Sequence, residues 1–192
     1  MEVDYVRLYQ KPETPLINEW PEIDRSMWFV KASSSDAGSG IITEGYWPAR
    51  TVKVHGVGNI WFWRSAEAQD PAANQWFKVD MGQSNEFKQL RIIAPGYTAD
   101  NEEQDNEGQY AAEYTVQLSD DPIAWESEDP SDWGDQIDIG RGSAITDICF
   151  PGGRIGRYLT IRQIGTSDKK WSIRDIYAYK EKAYSGAICN EN

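Results

Sequence analysis

Apolar and polar residues alternate with a two-residue period in a succession of short segments, the pattern of strands with one buried face. The pattern opens the chain at 1–10 (MEVDYVRLYQ) and returns at 27–35 (MWFVKASSS). It continues at 75–83 (QWFKVDMGQ) and at 87–95 (FKQLRIIAP), the latter closed by Pro95 and Gly96. Residues 113–121 (EYTVQLSDD) form another such segment, ended by a turn-forming Asp pair. Three more follow at 144–150 (AITDICF), 156–164 (GRYLTIRQI) and 172–180 (SIRDIYAYK). No segment of adequate length repeats apolar residues at i, i+3, i+4 and i+7, so helix content should be low. Many short strands with Gly, Pro and Asp punctuation predict an all-β fold, an antiparallel β-sandwich or jelly roll.

Between these segments lie stretches without sustained period. Residues 11–27 contain three prolines and read as a linker, and 36–60 are rich in Gly, Ser and Thr. Residues 98–109 (TADNEEQDNEGQ) form an acidic, apolar-poor loop between two strands, a length usually found in functional or mobile loops.

Composition narrows the function. The 192 residues carry a formal charge of −12, a field that repels phosphate backbones and anionic lipid, which argues against nucleic acid and membrane as partners. Neutral sugars, cations and basic proteins stay open. Nine Trp and ten Tyr against five Phe give many flat apolar faces with polar edges, suited to surfaces that hold something partly wet. A single histidine, His55, leaves a Ser-His-Asp arrangement only that residue to use and excludes a zinc site built on two or more histidines. Carboxylates are plentiful, so glycosidase-type acid catalysis stays open on composition. Cys149 and Cys189 permit one disulfide or two buried thiols.

Four motifs in order, QWFKVDMG, EYTVQLSDD, GRYLTIR and KKWSIRDIYAY, resemble those of discoidin domains, the coagulation-factor type C family that includes many galactose-binding-like carbohydrate-binding modules. VKASSS and FWRS are similar to the family's opening segment, so the resemblance covers about residues 28–180. It implies a jelly-roll sandwich with ligand-binding loops clustered at one end. The opening MEVDYVRLYQ resembles the closing strand of laminarinase-type β-1,3-glucanases, glycoside hydrolases of family 16. The implied order is a terminal strand of an upstream glucanase domain at 1–10, a linker at 11–27, a carbohydrate-binding module at 28–182 and a tail at 183–192. The paired catalytic glutamates of those hydrolases have no counterpart here, so the resemblance carries over no catalytic residue. It implies a non-catalytic module of a secreted enzyme, with polysaccharide, β-1,3-glucan foremost, as its partner. A protein-interaction or adhesion domain is the first alternative, and a catalytic domain using loop carboxylates the second.

Sugar recognition sets aromatic faces against pyranose rings and polar side chains against hydroxyls. Trp28, Trp76 and Trp171 fall in or beside strand motifs and are expected in the core, Trp63 half core and half site floor, and Trp125 under the turn after the Asp pair. Trp47, Trp61 and Trp133 remain as candidate stacking faces, with Tyr97 following the strand that ends at Pro95. His55, Arg64 and Asn101 are candidate hydroxyl partners. The arginine that follows this strand in galactose-binding members is missing, which puts galactose specificity in doubt. The family's structural calcium is implied only in degraded form: His55 stands where an Asp is expected and Asp175 where a Glu is. Asp100 and Asp105 of the acidic loop, with Asp175, are the carboxylates left for such an ion, although the loop lacks the spacing of an EF-hand.

Overall fold

The computed structural model describes residues 22–36, 62–95 and 108–180. Among the described residues eight strands carry the fold: β1 (Phe29–Ala32), β2 (Trp63–Gln69), β3 (Trp76–Ile93), β4 (Tyr114–Ser119), β5 (Asp135–Gly140), β6 (Ile145–Gln163), β7 (Ser167–Ile173) and β8 (Asp175–Tyr179). One helical turn, α1 (Ile123–Glu126), and two 3-10 turns complete the described elements. Among the described residues no helix is long and apolar enough to cross a membrane.

All strand pairings are antiparallel, and β3 and β6 form the spine. Their register breaks between Asp80 and Asn85 and again between Phe87 and Gln89, which bends both strands. On one side of the bend, β1, β3, β6, β4 and β5 make a five-stranded limb. On the other, β8 joins β3 at Gln89–Ile93, and β6 pairs through Ile145–Cys149, making a three-stranded limb. A ribbon of β2 and β7 stands beside them.

Two glycines permit the bend. Gly82 has φ +77°, a left-handed conformation costly for residues with a Cβ. At Gly156, a Cβ would meet Leu118 Cγ at 2.5 Å, so the strand approaches β4 only without a side chain. The sequence predicts separate strands over 75–83 and 87–95, and over 144–150 and 156–164. The structure instead runs each pair together, because Gly82 and the Pro151–Gly153 stretch serve as irregularities within strands rather than as chain reversals.

Side chains of both limbs meet in one apolar core. Phe77, Val79, Val116, Leu159 and Ile161 come from the five-stranded limb, and Phe87, Leu90, Ile148 and Ile176 from the three-stranded one. The ribbon adds Trp63 and Trp171, whose rings meet edge to face at 4.9 Å, with Phe77 5.1 Å from Trp63. Trp28 and Trp171 lie in the core as expected, and Trp63 lies there outright at 1% exposure, whereas Trp76 is buried on the opposite face of the sheet against Trp133. Strands β2 and β5 and most of β7 were not expected: WRSAEAQ, DQIDIG and SDKKWSI are too polar to stand out by alternation.

Residues 22–27, predicted as the end of a linker, belong to the sandwich. Ile23 is buried and donates its N–H to Ala178 O at 2.9 Å, while Arg25 reaches Ile176 O and pairs with Glu22 at 2.7 Å. Cys149 is disulfide-bonded; Cys189 lies outside the described residues.

The outer face of the five-stranded limb carries a second, smaller cluster. Residues 120–134 fold across it, and Lys78 reaches up from β3 to donate to Ala124 O at 2.7 Å and to Ser127 O. Its ammonium lies 4.9 Å from the ring centres of both Trp76 and Trp133. Burial, with Lys31 nearby, pulls the Lys78 pKa down to about 8. Trp125 is half-buried, stacked on Tyr158 with Lys31 Nζ 4.4 Å from its ring centre.

Candidate functional site

One end of the sandwich gathers several strand ends at which the described chain breaks off or resumes. β1 ends there, β2 begins there, β3 leaves at Ile93 and β4 enters at Tyr114. The described chain stops near this rim at residues 36 and 95 and resumes there at 62 and 108. The sandwich fixes it through side-chain bridges to backbone. Gln69 donates to Tyr110 O at 2.9 Å and accepts from Ala112 N at 2.7 Å. Ser172 donates its N–H to Gln109 O at 2.7 Å and its hydroxyl to Gln109 Oε1 at 2.8 Å. Ser33 N–H donates to Trp76 O, and the Trp63 indole N–H donates to Ser34 O at 2.9 Å.

At this rim stands a trio of charges. Asp36 Oδ2 lies 2.7 Å from Arg64 and 3.0 Å from Lys170, with all three side chains partly exposed. Two cations on one carboxylate leave a net positive spot in an acidic chain. The trio combines residues from β1's exit, β2 and β7, which β2–β7 pairing brings together (Arg64 faces Ser172). Asp36 and Lys170 had no local motif to mark them; only the adjacency of FWRS and KKWSIRD in the paired ribbon reveals them.

Of the sequence candidates, Arg64 is on this rim, engaged by Asp36 rather than free. Trp133 is not a sugar face. It is fully buried in the cluster outside the five-stranded limb, its indole N–H donating to Ser127 O at 2.9 Å. It sits there because Lys78 and Trp76 occupy the adjacent positions and need an apolar cover. Trp47, His55, Trp61, Tyr97, Asn101, Asp100 and Asp105 lie outside the described residues.

The described part of the calcium set does not fit an ion. Asp175 is 3% exposed and its Oδ2 accepts from Arg174 Nε at 2.9 Å, so a guanidinium already compensates the carboxylate. Among the described residues no three His, Cys, Asp or Glu side chains gather to hold a metal.

Comparison with known proteins places this architecture. No curated protein matches the chain. Among solved structures, the family 32 carbohydrate-binding module of NanJ from C. perfringens, in complex with galactose, is similar at 12% identity and TM-score 0.58, covering 83% of this chain and 98% of that one. A chitosan-binding module of a chitosanase/glucanase from Paenibacillus sp. IK-5 shares 23% identity with TM-score 0.55, over 80% and 95% of the two chains. The family 32 module of AlyQ, in complex with 4,5-unsaturated mannuronic acid, shares 18% identity with TM-score 0.51, over 83% and 98%. The fold is therefore that of the family 32 carbohydrate-binding modules. The F5/8 type C domain profile matches residues 30–176, from β1 to β8, and the chain belongs to the F5/8 type C family.

Proposed function

We propose that this domain is a non-catalytic carbohydrate-binding module that holds polysaccharide at its loop-bearing end. The observation that carries this reading is the shared fold: the modules similar to it include ones solved with a bound sugar. The rim supports it as well, since a fixed frame bearing Arg64, Asp36 and Lys170 supplies donors and an acceptor for hydroxyls at the base of the loops. Trp47, Trp61 and Tyr97 are the stacking faces this reading assigns, with His55 and Asn101 as further hydroxyl partners.

The favoured ligand is a β-1,3-glucan of the laminarin or curdlan type. Its support is the opening MEVDYVRLYQ, which resembles the last strand of laminarinase-type hydrolases. In that arrangement the module raises the local substrate concentration around a catalytic domain tethered upstream, in a secreted enzyme. The disulfide at Cys149 fits an oxidising compartment. Isolated affinity should be on the order of micromolar to millimolar, because each sugar contact is modest.

Pull-down on curdlan, xylan, agarose and cellulose tests the reading. Retention on curdlan, weakened by Trp47→Ala and by Trp61→Ala without loss of folding, is the expected result. Retention on none of the four overturns it, and release of sugar products would return the domain to the enzymes.

A further inference from the structure

The outer face of the five-stranded limb continues past the Trp133 cluster toward the rim. There it carries an arginine with nothing to hold. Among the described arginines, Arg25, Arg64, Arg91, Arg141, Arg157 and Arg174 each pair with a carboxylate. Arg154 donates to Gly153 O and lies over Phe150. Arg162 has neither an ion pair nor a side-chain hydrogen bond among the described residues, and its Nε is buried without a partner. In a chain with 31 acidic against 19 basic side chains, a half-buried guanidinium left unmatched is a vacancy for an anion.

Strand register fixes its surroundings. Arg162 stands opposite Trp76 on β3 and Thr115 on β4, and Thr115 stands opposite Ile139 on β5. Ile139, on the face turned away from the core, is 61% exposed. Two residues nearer the rim, Ile164, Glu113 and Arg141 line a cleft of about 460 Å³ together with Ala112 and Gly165, adjoining Arg162 rather than lined by it. That volume falls within the roughly 300–1,000 Å³ of small-ligand sites. Arg141 pairs with Glu113 at 3.1 Å, but both side chains are exposed (83% and 44%), so this pair is loosely held. With a rise of about 3.4 Å per residue and about 4.8 Å between strands, the backbone positions of Arg162 and Arg141 lie about 12 Å apart.

We propose that this strip, on the outer face of the five-stranded limb and running up to the rim at Ala112, is a second ligand site for a single uronic acid residue carried on an otherwise neutral glycan. Because its Nε is buried, Arg162 would meet the two oxygens of a sugar carboxylate with its two terminal nitrogens. Glu113 and Arg141 offer an acceptor and donors to the hydroxyls of the neighbouring sugar. The side chains of Ile139 and Ile164 present apolar surface to pyranose C–H groups. Orientation comes from the ionic bond, since the Trp76 ring beside it is too buried to stack on. The charge of −12 repels a long polyanion, which is why one carboxylate among neutral sugars fits this face better than a polyuronide.

An NMR titration with aldotetrauronic acid (one glucuronate on xylotriose) against neutral xylotetraose tests this directly. The acidic probe should shift the amides of Thr115, Ile139 and Ile164, with xylotetraose at least tenfold weaker. Arg162→Gln should weaken the acidic probe at least tenfold and leave curdlan retention unchanged, while Arg162→Lys should fall between. A melting temperature for each variant separates lost binding from lost folding, and Arg141→Ala, at an exposed position, gives a second reading of the same strip. Equal response to both probes, shifts confined to the rim, or full binding by a folded Arg162→Gln variant would overturn the proposal. Because curdlan retention is read separately, failure of the strip and failure of the loop-end reading cannot be confused.

Discussion

The inner face of the five-stranded limb is covered by rings against rings: Trp63 meets Phe77 and Trp171, and the aliphatic side chains of both limbs close around them. The outer face is covered by rings against an ammonium, with Lys78 set between Trp76 and Trp133 and bonded to the carbonyls of the crossing segment. Both faces bury whole Trp side chains, yet the first joins strands distant in sequence, and the second fastens one local segment to a sheet already formed. Burial alone therefore does not rank the two. The difference lies in what each tryptophan holds together.

Truncation should expose that difference. Trp63→Ala removes a ring at the junction of ribbon and limbs and should cost about 3–5 kcal/mol, a large part of the roughly 5–15 kcal/mol that stabilises a domain. Urea unfolding should show it as a lowered midpoint, with every strand losing protection from hydrogen exchange together. Trp133→Ala deletes a ring equally buried, but the loss should stay local. Residues 120–134 should exchange quickly while β3, β4 and β6 stay protected. Equal loss of protection across the strands in both variants would mean that the two faces form one cooperative unit.

Lys78 sharpens the comparison by its charge. Replacing it with Met keeps most of the volume between the two tryptophans but leaves Ala124 O and Ser127 O without their donor, a cost of about 1–3 kcal/mol. The pH dependence has a definite sign. The folded pKa of about 8 lies below the ordinary 10.5, so between these values the unfolded chain binds more protons than the folded one. Lys78 therefore makes the fold more stable as pH rises from about 8 toward 10.5. Tyr179 acts oppositely: burial raises its pKa to about 12, so its contribution falls as pH passes above 10. Denaturant titrations from neutral pH to pH 10 should show a rise in the parent protein that is absent in Lys78→Met. The same rise in both would show that Lys78 is not its source.

The sequence made the inner face legible and the outer one not. QWFKVDMG alternates, which sets Phe77 and Val79 on one side of the sheet and Trp76 and Lys78 on the other, although Trp76 was expected in the core. The alternation is right about sides of the sheet, but it cannot tell that residues 120–134 fold back over the polar side. For the same reason Trp133 looked like a surface ring, since it stands in a polar stretch after an Asp pair. The ordered motifs were specific enough to indicate family and architecture. Bends within β3 and β6 were hidden because Gly82 and Gly153 have the chemistry of turns whether a strand reverses or only kinks. The rim charges Asp36 and Lys170 come from distant segments, and only pairing of β2 with β7 brings them to Arg64.

The smallest effect belongs to the bend, where the outer face meets the opposite end of the sandwich. Burial pushes the Asp80 carboxyl up, but the Arg157 guanidinium and the Gly82 N–H outweigh it and hold its pKa below the usual carboxylate range. Arg157 grips it with two bonds, Nε to Oδ1 at 2.7 Å and a terminal nitrogen to Oδ2 at 2.9 Å, while Gly82 N–H donates to Oδ1 at 2.8 Å. A depressed carboxyl contributes stability above its unfolded pKa and loses it as pH falls through the folded value. Arg157→Gln should therefore destabilise slightly at neutral pH, by less than either the Trp133 or the Lys78 change. The deficit should shrink as acid protonates Asp80 in both proteins. Since the Gly82 bond remains in the variant, the bend itself should persist, with unaltered exchange at Met81–Asn85. A deficit that stays constant down to acid pH would assign the role of Arg157 to its packing on Tyr158, whose ring centre lies 4.9 Å from the guanidinium, rather than to its charge.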